Sequence, residues 1–378
     1  MTMDKVSRKK NVKNFLQIFI NAILQIFFRI WSILLLLKCI GYSFEEIFRN
    51  FEIFGRKKLN YEAEFGSISL EGRICVITGG TRGIGLETIR YLFKKNISKI
   101  ITGSSQLNID STDNNEIENF KCKLLSESGL EQYKDRLIIY PLDLGSMDSV
   151  GKFAEQICKM ETKIDYFICN GGILLPPAIK NDGIFDITMA INYYGHCLLI
   201  IKLLKLLEKS RIITVSSIMH YSCTIRLHDL QSRQLYSPVY VYSQSKLALI
   251  MFTYRFNKWI EKNMDSNNKN GEKYLTINSL HPGVCRSDMI KRAIWLNVPS
   301  FIINVLTRPP KEGTETILYI ALSPKLTNIS GKYFEDCKEQ KSSKISYDEN
   351  LQQQLWLRTW QDLRPWLNNN EYNQLMEY

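Results

Sequence analysis

Short apolar runs alternate with longer stretches of helical periodicity from residue 73 onward. The apolar runs lack the polar alternation of a half-exposed sheet, as expected of parallel strands covered on both faces. The predicted strands are 73–78, 99–102, 137–141, 164–169, 211–215 and 276–280. The predicted helices are 84–94, 146–160, 189–207 and 242–262. Strand and helix in turn predict an α/β fold built on a Rossmann-type, doubly wound parallel sheet.

Polar sequence interrupts this alternation at two places. Residues 103–132 are rich in Asn, Ser and Asp and predict a long loop with a surface helix. Residues 265–272 predict a polar loop. The predicted organisation is an anchoring segment and linker at 1–60, the Rossmann-type domain at 61–345, and a C-terminal extension at 346–378.

The N-terminal segment contains a strongly apolar stretch, 15–40, that Arg29 interrupts. Neither uncharged half reaches the ~18–20 residues that a spanning helix needs. We therefore predict a membrane-associated helix and leave three arrangements open: a span with Arg29 near an interface, a helix in the membrane surface, and a hairpin anchor. Basic residues flank both ends, so the sequence does not orient the segment.

The composition is that of a folded protein, since 45% of the 378 residues are hydrophobic and 23% are charged. The net charge of +11 raises nucleic acid as a partner. However, the basic residues are dispersed except for a group at positions 5–13, which is typical of a membrane flank, so no nucleic-acid partner is expected. Nine scattered cysteines without a CxxC pair predict a reducing compartment. Four histidines without ligand spacing predict no metal site.

A glycine-rich turn links the first predicted strand to the first predicted helix. Gly79 permits the tight turn, Gly83 lets the backbone approach a pyrophosphate, and Gly85 allows close packing of the helix on the strand. The helix N-terminus then receives the anion. No Gly-Lys-Ser/Thr follows, so the turn is not a Walker loop. The glycine spacing alone could equally mark a turn without a ligand, and its position between strand and helix favours the dinucleotide site. The predicted dinucleotide-binding residues of this turn are Thr78, Gly79, Thr81, Arg82, Gly83, Ile84 and Gly85.

A tyrosine and a lysine stand four residues apart at the start of the last predicted helix. One helical turn places Tyr242 and Lys246 on the same face. A free tyrosine has a pKa near ~10. A nearby ammonium lowers that pKa by favouring the phenolate, which suits an acid/base group at neutral pH. The YxxxK spacing by itself is more often only part of a helix surface, and it becomes specific in register with the glycine turn and Ser217.

The TGxxxGxG turn and the YxxxK pair, in register with a serine after the fifth strand, resemble the short-chain dehydrogenases/reductases. Further matches follow in that family's order and cover about residues 70–335. They are Leu142-Asp143-Leu144, Asn170-Gly171-Gly172 with Gly171 in place of the family's Ala, Asn192-Tyr193-Tyr194-Gly195-His196, Val215-Ser216-Ser217, and Pro282-Gly283-Val284.

This resemblance implies an NAD(P)-dependent alcohol/carbonyl oxidoreductase with four catalytic residues. Tyr242 exchanges the proton of the substrate hydroxyl, and Ser217 hydrogen-bonds the substrate oxygen. Ser216, the other serine at this position, is read as a residue that only forms the turn at the end of the strand. Asn192 holds a water that links Lys246 to solvent. The implied cofactor residues outside the turn are Asp143 toward the adenine, Asn170, Tyr242, Lys246 toward the nicotinamide ribose, Pro282, Gly283, and Ser287 toward the carboxamide.

The choice of cofactor depends on the end of the second strand and on the glycine turn. An acidic residue after that strand would favour NAD, but the chain continues as Thr102-Gly103-Ser104-Ser105. Arg82 can reach a 2′-phosphate, although a solvated loop arginine is an equally good reading. We expect NADP(H) and leave use of NAD(H) as well open.

The spacing between Ser217 and Tyr242 resembles the retinol-dehydrogenase-like branch of the family. The stretches 229–232, 242–249 and 351–356 resemble members of that branch that act on polyprenols, which implies polyprenol oxidation and dolichal reduction in dolichol synthesis. His281 and the longer 103–132 segment depart from that pattern. Retinol or a steroid is the alternative substrate.

An apolar substrate also agrees with the apolar segment 293–306, which follows the sixth strand and is predicted to be a substrate lid or a helix packed into the core. The expected partners are a lipid alcohol or aldehyde and a membrane, with a homodimer left open. The expected location is the endoplasmic reticulum or a lipid droplet, with the catalytic domain facing the cytosol. Two other readings are a catalytically silent nucleotide-binding membrane protein and a membrane scaffold; Asn192, Ser217, Tyr242 and Lys246 argue against both.

Overall fold

The computed structural model of the chain describes residues 41, 59–108, 114–174, 183–234, 236–264, 275–286 and 307–377. The predicted N-terminal membrane segment, the apolar segment 293–306 and Ser287 lie outside these residues. None of the helices in these ranges combines the length and the apolar character that crossing a bilayer requires.

The described residues form one sheet in the order β3-β2-β1-β4-β5-β6-β7-β8. Strands β1 to β7 are parallel, and β8 runs antiparallel to β7 at the edge. Val76 of β1 pairs with Ile101 of β2 and with Phe167 of β4, so β1 lies in the middle of the sheet. The strands are β1 Ile74–Ile77, β2 Lys99–Ser104, β3 Leu137–Pro141, β4 Tyr166–Cys169, β5 Arg211–Val215, β6 Thr276–His281, β7 Lys332–Glu335 and β8 Lys338–Gln340.

Helices cover both faces of this sheet. The α-helices are α1 Tyr61–Phe65, α2 Gly83–Lys94, α3 Asn114–Ser128, α4 Met147–Met160, α5, α6 Pro238–Asn263, α7 Pro310–Gly313, α8 Glu315–Leu322, α9 Glu349–Leu363 and α10 Asn369–Met376. Helix α5 consists of Ile187–Met189, a π-helical segment Ala190–Tyr194, and Gly195–Lys202. Short 3₁₀ turns lie at Glu131–Arg136, Leu204–Leu206, Ile218–Ser222, Leu227–Asp229, Pro324–Leu326, Lys344–Tyr347 and Arg364–Trp366.

Two apolar layers hold the sheet between the helices. On one face, buried side chains of α4, α5, α6 and α9 form a single core, and on the other face those of α1, α2, α3 and α8 form a second. The apolar strands predicted from the sequence pack against both layers, because nearly every strand residue from β1 to β6 is buried. The predicted α/β, doubly wound sheet is confirmed.

Two of the predicted helices differ from the structure by more than one residue at a boundary. The helix predicted at 242–262 begins earlier, at Pro238, because the Ser237 hydroxyl accepts the Tyr240 N–H and proline suits the first helical turn. Tyr242 therefore lies in the second turn and not at the helix start. The helix predicted at 189–207 begins at Ile187, where Asp186 caps it, and ends at Lys202. The surface helix expected within 103–132 is α3.

Candidate active site

The candidate site lies at the carboxyl ends of the central strands. The chain leaves β1 toward β2 on one side and leaves β4 toward β5 on the other, so the two connections diverge above neighbouring strands. Such a switch point opens a crevice for a ligand in doubly wound sheets. Thr78 follows β1, Asn170 follows β4, Ser216 follows β5 and Pro282 follows β6. The topology therefore brings the predicted residues to one edge of the sheet.

The glycine turn is held tightly against the end of β4. Gly79 has a left-handed φ of 66°, and a Cβ there would lie 2.9 Å from the Cα of Gly171. A Cβ on Gly85 would lie 2.2 Å from the carbonyl oxygen of Gly79. The side chain of Asn170 donates to the carbonyl oxygens of Thr78 and Gly79, at 2.9 and 3.2 Å. A side chain at either glycine would therefore collide with neighbouring backbone.

The residues beside this turn fit the pyrophosphate of a dinucleotide. Helix α2 begins after Arg82, and the Arg82 side chain does not cap it. The backbone N–H groups of the first helical turn therefore receive no hydrogen bond from a capping side chain. Gly83 has a φ of 56° with nothing within 4 Å of where a Cβ would stand. Arg82 is exposed, and Thr81 and Ile84 are partly buried beside it. A helix N-terminus with this open space suits a bound anion.

A buried histidine that sequence reasoning did not assign connects this turn to α5. His196 Nε2 lies 3.0 Å from Oγ1 of Thr78, which also accepts the Gly171 N–H at 2.8 Å. His196 Nδ1 lies 3.4 Å from the carbonyl oxygen of Asn192. Burial, together with the charge of Lys246, lowers the pKa of His196 to about 3, so the ring is neutral. Since a carbonyl only accepts, Nδ1 carries the proton and Nε2 accepts from the Thr78 hydroxyl. Its place in the Asn192–His196 stretch was the only sequence signal for it.

Asn192 is fixed by three hydrogen bonds inside the π-helical segment of α5. Its Oδ1 accepts the Ile173 N–H at 2.9 Å, and its Nδ2 donates to the Ile173 carbonyl and to the Ser245 hydroxyl, both at 3.0 Å. A Cβ on Gly172 would lie 3.1 Å from Asn192 Oδ1 and 3.5 Å from the Lys246 ammonium, so both side chains border the same glycine. π-helical turns are frequent at functional sites.

Lys246 is a buried cation directly beside Tyr242. Its Nζ donates to the Val215 carbonyl at 2.9 Å and lies 5.8 Å from the centre of the Tyr242 ring. Burial lowers the pKa of Lys246 from its ordinary value of 10.5 to about 8. The Tyr242 side chain is also buried. The predicted pair is therefore placed together at the end of β5.

The two serines after β5 differ in their environment. The Ser216 hydroxyl donates to the Lys246 carbonyl at 2.9 Å, which ties β5 to α6. The Ser217 hydroxyl accepts the Met219 N–H at 3.3 Å, and its carbonyl lies 2.7 Å from Nδ1 of His220. His220 Nε2 in turn accepts the Ser343 N–H at 3.2 Å. Ser216 thus has a structural bond, and the turn that carries Ser217 packs against α6.

Three more predicted cofactor residues, Asp143, Pro282 and Gly283, follow strands at the same edge of the sheet. Asp143 follows β3 and accepts the Gly145 N–H at 2.8 Å. Gly283, next to Pro282, has a φ of 85°, and a Cβ there would lie 2.6 Å from the Arg308 guanidinium. That guanidinium is buried and pairs with Asp336 at 2.7 Å. Across the described ranges, no three His, Cys, Asp or Glu side chains are grouped as metal ligands.

The family model for short chain dehydrogenases matches residues 73–294 of this chain. Among similar proteins, human polyprenol dehydrogenase is 32% identical over 76% of this chain and 84% of that protein. Human retinol dehydrogenase 12 is 30% identical over 77% of this chain and 86% of that protein. A solved, uncharacterized protein of Mycobacterium paratuberculosis has a TM-score of 0.58 at 24% identity, over 82% of this chain and 98% of that one, which supports the fold.

The match covers the glycine turn, the Asn192 helix, and the Tyr242 and Lys246 pair, all of which meet at the crevice described above. The chain is thus a nicotinamide-dependent oxidoreductase that belongs to the short-chain dehydrogenase/reductase family.

Proposed function

We propose that Tyr242 is the acid/base of this enzyme and that Asn192, Ser217 and Lys246 complete its catalytic group. The observation that carries this proposal is the burial of the Lys246 ammonium 5.8 Å from the Tyr242 ring. A positive charge at that distance stabilises an ionised phenol more strongly in a buried site than it would in water. A Tyr and a Lys with this spacing that merely belonged to a helix surface would be exposed to solvent, whereas both side chains are buried here.

The proposed chemistry is a proton exchange at the substrate oxygen. When bound, the nicotinamide dinucleotide would supply or accept the hydride. In oxidation the Tyr242 phenolate takes the proton of the substrate hydroxyl, and in reduction the Tyr242 phenol returns it. Ser217 donates a hydrogen bond to the substrate oxygen, and Lys246 holds the positive charge beside the phenol. The glycine turn and the N-terminus of α2 would hold the pyrophosphate.

The proposed substrate is the alcohol or aldehyde of a lipid, with polyprenol oxidation and dolichal reduction as the first candidates. Similarity to human polyprenol dehydrogenase over 76% of this chain supports this choice. The similarity to human retinol dehydrogenase 12 favours retinol as the second candidate, with a steroid after it. A membrane-associated enzyme at the endoplasmic reticulum or a lipid droplet, acting from the cytosolic side, is the proposed setting because such substrates partition into bilayers.

The proposed cofactor is NADP(H), with NAD(H) as a second choice. The end of β2, Thr102 to Gln106, has no acidic side chain that would bind an adenosine ribose. Arg82 is exposed at the start of α2, where a 2′-phosphate would come near. We expect Arg82→Ala to raise the KM for NADPH about tenfold or more, because the variant loses one charge-assisted hydrogen bond to the 2′-phosphate. The KM for NADH should stay unchanged, and equal changes for both cofactors would remove NADP(H) as the preferred one.

The substrate proposal is tested with the purified full chain and a panel of polyprenol, dolichal, retinol and a steroid, each with NAD(H) and NADP(H). Turnover of a lipid alcohol is expected, and Tyr242→Phe should abolish it while nucleotide binding persists. Tyr240→Phe is the matched control, because it removes another buried hydroxyl of α6, one that donates to the Thr224 carbonyl. Turnover retained by Tyr242→Phe would defeat the mechanism. Nucleotide binding by the wild type without turnover of any substrate would favour a catalytically silent protein.

A further inference from the structure

Two tyrosines directly after Asn192 are fully buried, and their hydroxyls reach the C-terminal helix α9. Tyr193 Oη lies 2.7 Å from Oγ1 of Thr359, and Tyr194 Oη lies 2.7 Å from Oδ2 of Asp362. Both tyrosines belong to the same π-helical segment as Asn192. The segment that presents Asn192 is thus tied to a helix more than 160 residues away along the chain.

The proton count fixes the direction of the first bond. The Thr359 hydroxyl has one proton, and it donates that proton to the Leu355 carbonyl at 2.7 Å within α9. Tyr193 must therefore donate to Thr359. Without the Thr359 oxygen, the Tyr193 hydroxyl would be a buried donor that lacks its acceptor.

The second bond is part of a longer polar chain. Tyr194 donates to Asp362, which also accepts from Arg358 Nε at 2.8 Å, and Tyr194 accepts from Gln231 Nε2 at 3.1 Å. Gln231 Oε1 accepts the N–H of Asp186, the residue that caps α5, at 2.8 Å. Helix α9 is thereby linked, through Tyr194 and Gln231, to the residue that caps α5.

Aromatic packing fixes α9 itself. Trp356 stacks on Phe252 of α6 with 5.9 Å between ring centres, and Trp360 meets Phe252 edge-on at 6.1 Å. Both indoles are buried. These ring contacts with α6 anchor α9 in addition to its hydrogen bonds to the two tyrosines, and Phe252 also meets the Tyr193 ring edge-on at 6.4 Å.

We propose that Thr359 and Asp362 are positioning residues, which hold the π-helical segment through Tyr193 and Tyr194 so that Asn192 spans Ile173 and Ser245. This proposal rests on the catalytic role proposed for Asn192. In the described part of the chain, Thr359 bonds to Tyr193 and Leu355, and Asp362 bonds to Tyr194 and Arg358. Their effect on Asn192 therefore passes through the two tyrosines. A catalytic group displaced by about 1 Å loses on the order of a hundredfold in rate.

The test compares Thr359→Val, Tyr194→Phe and the double variant in the full chain. The Tyr194→Phe change keeps the pair between Arg358 and Asp362. Tyr254→Phe is the matched control: it also removes a buried hydroxyl that binds the C-terminal region, at 2.7 Å from Ser342, but from α6. We expect kcat to fall about tenfold in the double variant. NADPH affinity should stay within about twofold of the wild type, and amide hydrogen exchange should quicken over 187–202.

The control variant Tyr254→Phe should keep the wild-type kcat, although its thermal stability falls about as much as that of the double variant. An equal fall of kcat in Tyr254→Phe, an unchanged kcat in the double variant, or a parallel loss of NADPH affinity would each overturn the positioning role. If the double variant does not fold, Tyr194→Phe alone decides the question. A lower kcat with an unchanged affinity for NADPH would support the positioning role, and an unchanged kcat would overturn it. Failure of the proposed function is distinguishable, since the wild type would then turn over no alcohol at all, whatever the exchange rates.

Discussion

Replacing Lys246 by methionine is expected to make the protein more stable at neutral pH. Lys246 is only 5% exposed, and burial lowers its pKa from 10.5 to about 8. That difference corresponds to an unfavourable free energy of roughly 3 kcal/mol for keeping the ammonium charged in the folded protein at pH 7. Methionine has a similar shape and no charge, but it leaves the Val215 carbonyl without its donor, which costs about 1 to 2 kcal/mol. The net expectation is a gain of about 1 to 2 kcal/mol at pH 7.

The sign of this difference should reverse with pH. The pKa of Lys246 is lower in the folded than in the unfolded chain, so between pH 8 and 10.5 the unfolded chain binds more protons. Stability of the wild type therefore rises with pH across that window, whereas below pH 8 both states are protonated and the full penalty remains. Lys246→Met lacks this term, so we expect the two curves to cross between about pH 9 and pH 10.

The assay is urea unfolding of the full chain without nucleotide, followed by tryptophan fluorescence at pH 7 and at pH 10. Titrating groups that do not interact with Lys246 are shared by the two proteins and cancel in the difference between their unfolding free energies. A variant that is less stable at pH 7, or a difference that does not change between the two pH values, would refute the assignment of Lys246 as a buried cation. The charge proposed to stabilise the phenolate would then be absent.

Two further predictions concern the glycine turn and the buried histidines. Gly85→Ala places a Cβ 2.2 Å from the Gly79 carbonyl and should weaken NADPH binding about tenfold or more in calorimetric titration. Gly151→Ala on α4, with nothing within 4 Å, should bind normally and stabilise the fold by up to about 1 kcal/mol; equal affinities would contradict the steric argument. Burial lowers the pKa of both His196 and His220 from 6.5 to about 3, so the unfolded chain binds more protons between those values. Stability should therefore fall on acidification below pH 6.5, by up to about 1.4 kcal/mol per pH unit for each histidine, and an unchanged acid slope of urea unfolding in His220→Gln would contradict this.

The strands of this fold could be predicted because their signal is local. The runs predicted at 137–141 and 211–215 coincide with β3 and β5, since parallel strands buried on both faces need continuous apolar residues. The start of α6 was missed by four residues, because the pattern of buried residues did not include the Ser237 cap and Pro238. The π-helical segment of α5 has no periodicity of its own that distinguishes it from an α-helix.

The part of the candidate site that consists of sequence motifs could be predicted, and the part that depends on contacts between distant residues could not. Gly79, Gly85 and Asn170 meet in the structure because the β1 and β4 ends are adjacent in a doubly wound sheet, which the order of strand and helix already implied. His196 was missed because Thr78, its partner in the glycine turn, is 118 positions away in sequence and becomes its neighbour only after folding. No spacing rule identifies a histidine whose function is to connect two loops.

Partners of the buried polar groups behind the site come from the C-terminal region, and this could not be predicted locally. His220 needs the Ser343 N–H, Tyr193 needs Thr359, and Tyr194 needs Asp362. Each of these bonds joins residues more than 120 positions apart, so neither residue's own neighbourhood in sequence indicates the other. A buried polar group without a partner costs about 1 to 3 kcal/mol. Because Thr359 and Asp362 both lie in α9, this helix after residue 345 stabilises the segment that carries Asn192.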